Sequence, residues 1–293
     1  MTPHTYINFD KKYKKDDRKF RKYKIIAGVA GFLILLGGIF YAIAYSPLPK
    51  IKNLSVVQAN IAVKQIDTDK LAGELKDFFA NRSKITKFLG ADNILIWTEG
   101  GLAKFSKSPE IEEISMKKDY AERTVEISVK LRERFGVWCQ NQLTTNNQQL
   151  ITNGTSTEQQ ITKSCWWFDK NGVLFAMAPE LEGNAINKVD DFSGRNLKLG
   201  DFILNENLTP NAIKIFNVLE RSGLGIRALK LENLALQEII FEKQQSSLPK
   251  IYFSLRFDPE FALAAINDLK KIGLEKIEYI DLRVENRAYY KPQ

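Results

Sequence analysis

Residues 25–45 read IIAGVAGFLILLGGIFYAIAY and carry no charged side chain. A run of about 20 apolar residues at helical rise matches the hydrocarbon thickness of a bilayer. These residues therefore predict a single transmembrane helix, with Tyr23 on one side and Tyr41 and Tyr45 on the other suited to the two interfaces. The pattern after it is that of a globular protein. Pro47 and Pro49 block helix continuation, and residues 51–58 predict a first strand. Asp67 or Thr68 caps a helix in which Leu71, Leu75, Phe78 and Phe79 recur on one face. A polar loop leads through ILIW (94–97) to a short helical turn with Leu102 and Phe105. Ile114, Met116 and Tyr120 then alternate, a turn falls near Ala121, and Val125, Ile127, Val129 and Leu131 alternate back. That is a hairpin with one buried face and one charged face.

Further along, WWFDKNGVLF (166–175) predicts strand, turn and strand, with Asp169 and Gly172 supplying the turn chemistry. Two helices follow, each opened by a cap and a proline, Thr209-Pro210 and Asp258-Pro259. The first has an apolar face of Ala212, Ile215, Phe216 and Leu219 and stops at Gly223. The second has Phe261, Ala265, Leu269 and Ile272 and stops at Gly273. Between them KIYFSLRF (250–257) alternates Ile251, Phe253, Leu255 and Phe257 as a half-buried strand. The chain closes on EKIEYIDLRVENRAYYK (275–291). Here Ile280, Leu282 and Val284 share one face, Asp281, Arg283 and Glu285 the other, and Asn286 suits a tight turn into a last short strand. A terminal strand either inserts inside its sheet or leaves an edge open.

Charge alters this picture once it is located. The net charge of +8 looks basic enough for nucleic acid, but residues 1–24 hold nine Lys/Arg against three Asp, leaving only +2 for the remainder. A uniformly basic nucleic-acid face is not supported. The lysine excess beside the apolar run places residues 1–24 in the cytoplasm and the rest outside. Tyr6, Phe9, Tyr13 and Phe20 interleave with those lysines and add interfacial contact to anionic headgroups. A cleaved signal peptide competes with the anchor, since Ala42-Ile43-Ala44 resembles a cleavage site. The run is longer than a signal core of 7–15 residues, which favours an uncleaved anchor.

Candidate chemistry is sparse. The one histidine, His4, lies in the tail, so an outward domain has no Ser-His-Asp or Cys-His arrangement and no histidine-bearing zinc site. Two cysteines, Cys139 and Cys165, cannot build a four-thiolate site. No motif singles out a pair of acids from the many present, although a carboxylate-pair hydrolase stays open. No enzyme, cofactor or metal is expected.

The order β-α-α-β-β over residues 51 to about 133 is that of a POTRA domain. The string from NILIW through FSKSPEIEEISMKKDYAERTVEISVKLRERFGVWC resembles the cell-division family FtsQ/DivIB, whose hairpin ends in an E-R-x-P-V-A-x-W signature. Glu133, Arg134, Val137 and Trp138 fit it. Gly136 stands where that family usually has proline, and Ala121 replaces the proline of the hairpin turn. WWFDKNGVLF resembles the family's next element, and YIDLRVENRAY its closing hairpin, the most specific match. The resemblance runs from about residue 45 to residue 293.

The resemblance implies an α+β protein: a basic cytoplasmic tail (1–24), a transmembrane helix (25–45), a POTRA domain (46–135) and a mixed β domain with a few helices (136–293). A polar insertion occupies 140–164, too poor in apolar residues to build a core. If the flanking strands pair as they do in that family, Cys139 and Cys165 lie across from one another. They then form either a disulfide, which the outward compartment permits, or two buried free thiols. The family is not enzymatic. Its members are septal assembly factors of the bacterial inner membrane that recruit FtsB/FtsL-type bitopic coiled-coil partners through the β domain. Here the expected route is strand addition to the last strand. Tyr279, Arg283, Glu285, Arg287, Tyr289 and Tyr290 are the candidate partner-binding residues, the tyrosines for apolar area and the charges for complementarity at the rim. Other POTRA-type envelope assembly or binding modules are the alternative. No series of alternating strands long enough to close an outer-membrane barrel follows the module.

Overall fold

The computed structural model describes residues 10–60, 65–105, 107–144, 160–180, 185–242 and 248–293. His4, Tyr6, Phe9 and most of the polar insertion (145–159) lie outside the described residues. The chain divides into two compact units, the first made of Met1–Ala59, Lys64–Ser106 and Ile114–Val129, the second of Asn60–Val63, Lys107–Glu113 and Lys130–Gln293.

The first unit opens with helix α1, Asp10–Tyr45, which begins well before the expected residue 25. Residues 10–27 contain no glycine or proline and are rich in Lys and Arg, good helix formers, so nothing breaks the helix at the charge boundary. Its segment Phe20–Ala42 is long and apolar enough to cross a membrane, with none of it buried within the protein. Strand β1, Asn53–Gln58, starts two residues late because Ile51 N–H bonds the Asp92 carbonyl at 2.7 Å instead. Helix α2, Thr68–Asn81, is capped by Asp67, whose carboxylate accepts from Lys70 N–H at 2.9 Å. Its Leu71, Leu75 and Phe79 are buried, with Phe79 stacked on the buried Trp97 at 4.5 Å.

The expected polar loop contains a further helix, α3, Lys84–Leu89, held by a Ser83/Thr86 capping box. Ile94–Ile96 is a 3-10 turn, followed by helix α4, Glu99–Leu102. The hairpin forms as β2, Ile111–Asp119, and β3, Thr124–Leu131, with Val125, Ile127, Val129 and Leu131 buried. Tyr120 does not continue the buried face: it is exposed in the turn. Lys118 takes that row instead, its Nζ donating to the Trp97 carbonyl at 2.8 Å. The sheet order is β1-β3-β2, with β1 parallel to β3.

The second unit is built on a nine-stranded mixed sheet. Its strands are β4, Gly136–Thr144; β5, Gln160–Phe168; β6, Leu174–Met177; β7, Asn187–Asp191; β8, Ala228–Leu231; β9, Glu238–Phe241; β10, Lys250–Ser254; β11, Ile277–Val284; and β12, Arg287–Pro292. They lie in the order β12-β11-β10-β9-β8-β7-β4-β5-β6. Two helices, α5 (Thr209–Ser222) and α6 (Phe261–Ile272), follow β7 and β10. Each is a crossover, since β7 pairs parallel with β8 and β10 parallel with β11. Both helices cover one face, burying Ile215, Leu219 and Ile266 against Val189, Leu229, Ile251, Phe253, Ile280 and Leu282. Each such side chain contributes roughly 1.5–3 kcal/mol.

Two local expectations shift. Thr209 is the first residue of α5 and not its cap; its hydroxyl donates to the Leu204 and Asn205 carbonyls, and Asn205 Oδ1 accepts from Leu208 N–H at 3.0 Å. On α6 the buried stripe is Ala262, Ile266 and Leu269, one position round from the expected face, which leaves Ile272 48% exposed.

Candidate functional site

The closing hairpin is shaped by alternation and one turn residue. Ile280 and Leu282 point into the core, while Asn286 adopts φ 57°, the left-handed conformation asparagine tolerates, and reverses the chain. Strand β12 then pairs antiparallel with β11, with Ile280 opposite Tyr290 and Asp281 opposite Tyr289. All six of its residues are exposed, and among the described residues no strand pairs its other side. The opposite end of the sheet differs. There β6 is only four residues long, and Asp201 and Phe202 bind along it, with Leu174 N–H on the Asp201 carbonyl at 2.9 Å and a bridge from Val173 to Phe202. Among the described residues β12 is the more open of the two sheet edges.

Register decides where the candidate residues point. Tyr279, Asp281 and Arg283 share the face away from the helices, and Tyr289 and Lys291, their partners in register, lie on that face with Arg287. Tyr290 pairs with Ile280 and so lies on the helix side. The two adjacent tyrosines, 49% and 45% exposed, therefore flank the edge strand from opposite faces. Val284, expected to be buried with Ile280 and Leu282, is exposed, because the ladder shifts register between Asp281 and Val284.

Arg283 is already occupied. Its Nε and Nη2 donate to the two Asp281 carboxylate oxygens at 2.9 and 2.7 Å, and Nη1 donates to Glu238 Oε2 at 2.9 Å. The guanidinium also sits 4.6 Å from the centre of the Tyr252 ring, which meets Tyr279 edge-on at 6.2 Å. The hydrogen bond from Arg283 holds the Asp281 carboxyl below its usual range, and Asp281 in turn raises the pKa of Arg283. Arg283 thus braces β11 against β9 and β10. Lys291 pairs with Glu278 at 2.7 Å, which raises the lysine pKa, and the neighbouring Tyr289 raises that of Arg287. Glu285 is exposed in the turn. The bracing partners Glu238 and Tyr252 were invisible in sequence because they arrive from strands 45 and 31 positions earlier. Only the Asp-x-Arg spacing of 281 and 283, two residues on one face of a strand, hinted at the cluster.

The cysteines are opposite each other in the β4–β5 ladder, 4.1 Å apart at Cα, and joined as a disulfide. They sit with Val137, Trp167 and Phe175 in a small apolar cluster on the sheet face away from α5 and α6. Trp138 points to the helix side, where its Nε1 donates to the buried Asp191 at 3.0 Å. Arg134 lies 4.5 Å from the centre of the Trp167 ring. The more deeply held arginine is Arg132, paired at 2.5 Å with Asp169 of the turn before β6. At Gly136 an added Cβ would stand 2.7 Å from the Asn187 carbonyl oxygen and 2.8 Å from the Phe168 ring. Any residue with a Cβ, proline included, is crowded there. Among the described residues no three His, Cys, Asp or Glu side chains come together as a metal-binding group. No protein-family model matches the chain, and no curated protein is significantly similar to it.

Proposed function

We propose that this chain is a single-pass membrane scaffold of the bacterial division machinery, of the FtsQ/DivIB kind. Its N-terminus is cytoplasmic, and its outward domains recruit FtsB/FtsL-type bitopic coiled-coil proteins at the septum. The observation that carries the reading is the exposed strand β12 at the end of the nine-stranded sheet, with no strand on its outer side among the described residues. A partner segment extends the sheet there through backbone hydrogen bonds, with side-chain pockets adding specificity. Tyr289 on one face and Tyr290 on the other grip the added strand from both sides with apolar area and a polar tip. Arg287 and Glu285 supply charge at the rim, while Arg283 keeps β11 rigid and does not bind the partner directly. The apolar segment of α1 and the closing DLR hairpin support the same assignment, as does the β1-α2-α3-α4-β2-β3 order, the expected β-α-α-β-β arrangement with one further short helix. A disulfide suited to an oxidising compartment agrees with it.

The test is a photoreactive residue at Tyr290 in cells, together with affinity measurements on Tyr289→Ala and Tyr290→Ala. The crosslink is expected to capture a bitopic coiled-coil protein. Each alanine variant is expected to weaken binding about tenfold without loss of fold, the usual size of a truncated aromatic anchor. Wild-type affinity in both variants refutes strand addition at this edge.

A further inference from the structure

Helix α3 exposes side chains unsuited to a water-facing turn. Ile85 and Phe88 are 72% and 55% exposed, and Leu48, just after α1, is 74% exposed. Phe88 stacks on Phe40 at 5.9 Å and meets Tyr45 edge-on at 6.2 Å. Phe40 precedes the end of the apolar segment Phe20–Ala42 by two residues, so Phe88 lies about 3 Å of helix rise inside that end. Where α1 crosses a bilayer, a ring at that level is beside lipid.

The connection between α1 and the rest of the first unit is tied down. Arg123 donates to the Pro47 carbonyl at 2.6 Å, and Ile94 N–H bonds the Pro49 carbonyl at 2.7 Å. The Thr86 hydroxyl anchors α3 to the Ala80 carbonyl at 3.1 Å. Charge points to the same partner, because Lys84, Lys87 and Lys50 are exposed and residues 82–90 contain no acid.

We propose that α3 is a membrane-surface element. Ile85 and Phe88 enter the interfacial layer of the leaflet from which the C-terminal end of α1 emerges, and Lys84 and Lys87 stay at the level of anionic headgroups. Short apolar stretches flanked by lysines bind interfaces in this way, with the lysine stems lying along apolar surface and the ammonium groups in water. The docking sets the height of the first unit above the bilayer. It rests on the reading of α1 as a membrane span.

Electron paramagnetic resonance on the full-length chain tests it. Single nitroxide labels at Ile85→Cys and Phe88→Cys, with the native disulfide intact, are compared with labels at Leu36→Cys in the apolar segment and Lys117→Cys on the exposed side of β2. The protein is reconstituted in vesicles of phosphatidylcholine and phosphatidylglycerol. Accessibility is read with oxygen, which enters lipid, and with a water-soluble nickel chelate. Labels at 85 and 88 are expected on the lipid side of Lys117. Lys84→Glu with Lys87→Glu, or omission of phosphatidylglycerol, is expected to shift the 85 label toward water, about fivefold for each lysine lost. Labels at 85 and 88 that match Lys117 while Leu36 reports lipid overturn the docking and leave the span standing. Shielding from both reagents means a protein covers the patch, which also overturns it. A Leu36 label that reports water overturns the span itself, and the docking with it.

Discussion

Opening the Cys139–Cys165 bond perturbs the second unit through its unfolded state. The two cysteines are 26 positions apart, and closing a loop of that length removes chain entropy worth roughly 3.5 kcal/mol at 25 °C. The native state loses little on reduction, because both thiols stay in the apolar cluster with Val137, Trp167 and Phe175. For a unit of this size the difference corresponds to a fall in Tm of roughly 7–14 °C. The assay is urea unfolding of the full chain in detergent, oxidised and fully reduced, followed by fluorescence of its four tryptophans, of which Trp138, Trp166 and Trp167 lie in the second unit and Trp97 in the first. Reduction is expected to lower the midpoint and raise the slope, since an uncrosslinked chain exposes more surface when unfolded. Equal stabilities within about 0.5 kcal/mol refute the entropic argument. Alkylation of both thiols in protein never exposed to reductant refutes the bond itself.

Two further outcomes follow from local geometry. Gly136→Ala drives a Cβ against the Asn187 carbonyl oxygen and the Phe168 ring, and because one obstacle is backbone the cost is expected to be about 1–3 kcal/mol; an unchanged Tm in thermal denaturation refutes this. Asp281→Asn tests the Arg283 brace as a function of pH. The Asp281 carboxyl is held below its usual range by Arg283. Its contribution is therefore present above the unfolded carboxylate pKa of about 4 and lost as pH falls through the lower folded value. Wild type and variant are expected to differ by about 1 kcal/mol at neutral pH, a figure already discounted for partial exposure, and to converge in acid unfolding experiments. A gap that persists undiminished at about pH 2 refutes the carboxylate as its source.

Much of the fold was legible because local pattern and tertiary role agree. The apolar segment near the N-terminus, the β2–β3 hairpin, the α2 stripe, the Asp169–Gly172 turn and the Asn286 reversal all depend on residues a few positions apart. Hydrophobic period, cap and turn chemistry report such contacts directly. Helix α3 was missed because six residues give too short a stretch for a period to register, although Ser83 and Thr86 hold its cap. The α6 stripe slipped by one position because Phe261 and Ala265 are only partly buried, and what covers a helix face is set by the sheet beneath it.

The candidate site divides in the same way. Sequence by itself determined that the chain ends in a strand, a turn and an aromatic strand, and that an uncharged segment long enough for a bilayer lies near its start. Tertiary structure alone decided that β12 is a terminal strand of its sheet, that Tyr289 and Tyr290 face opposite sides, and that Arg283 is bound to Asp281 and Glu238. Strand order and register join residues distant along the chain, and a register shift of one residue turns every side chain to the other face. No local pattern carries that information.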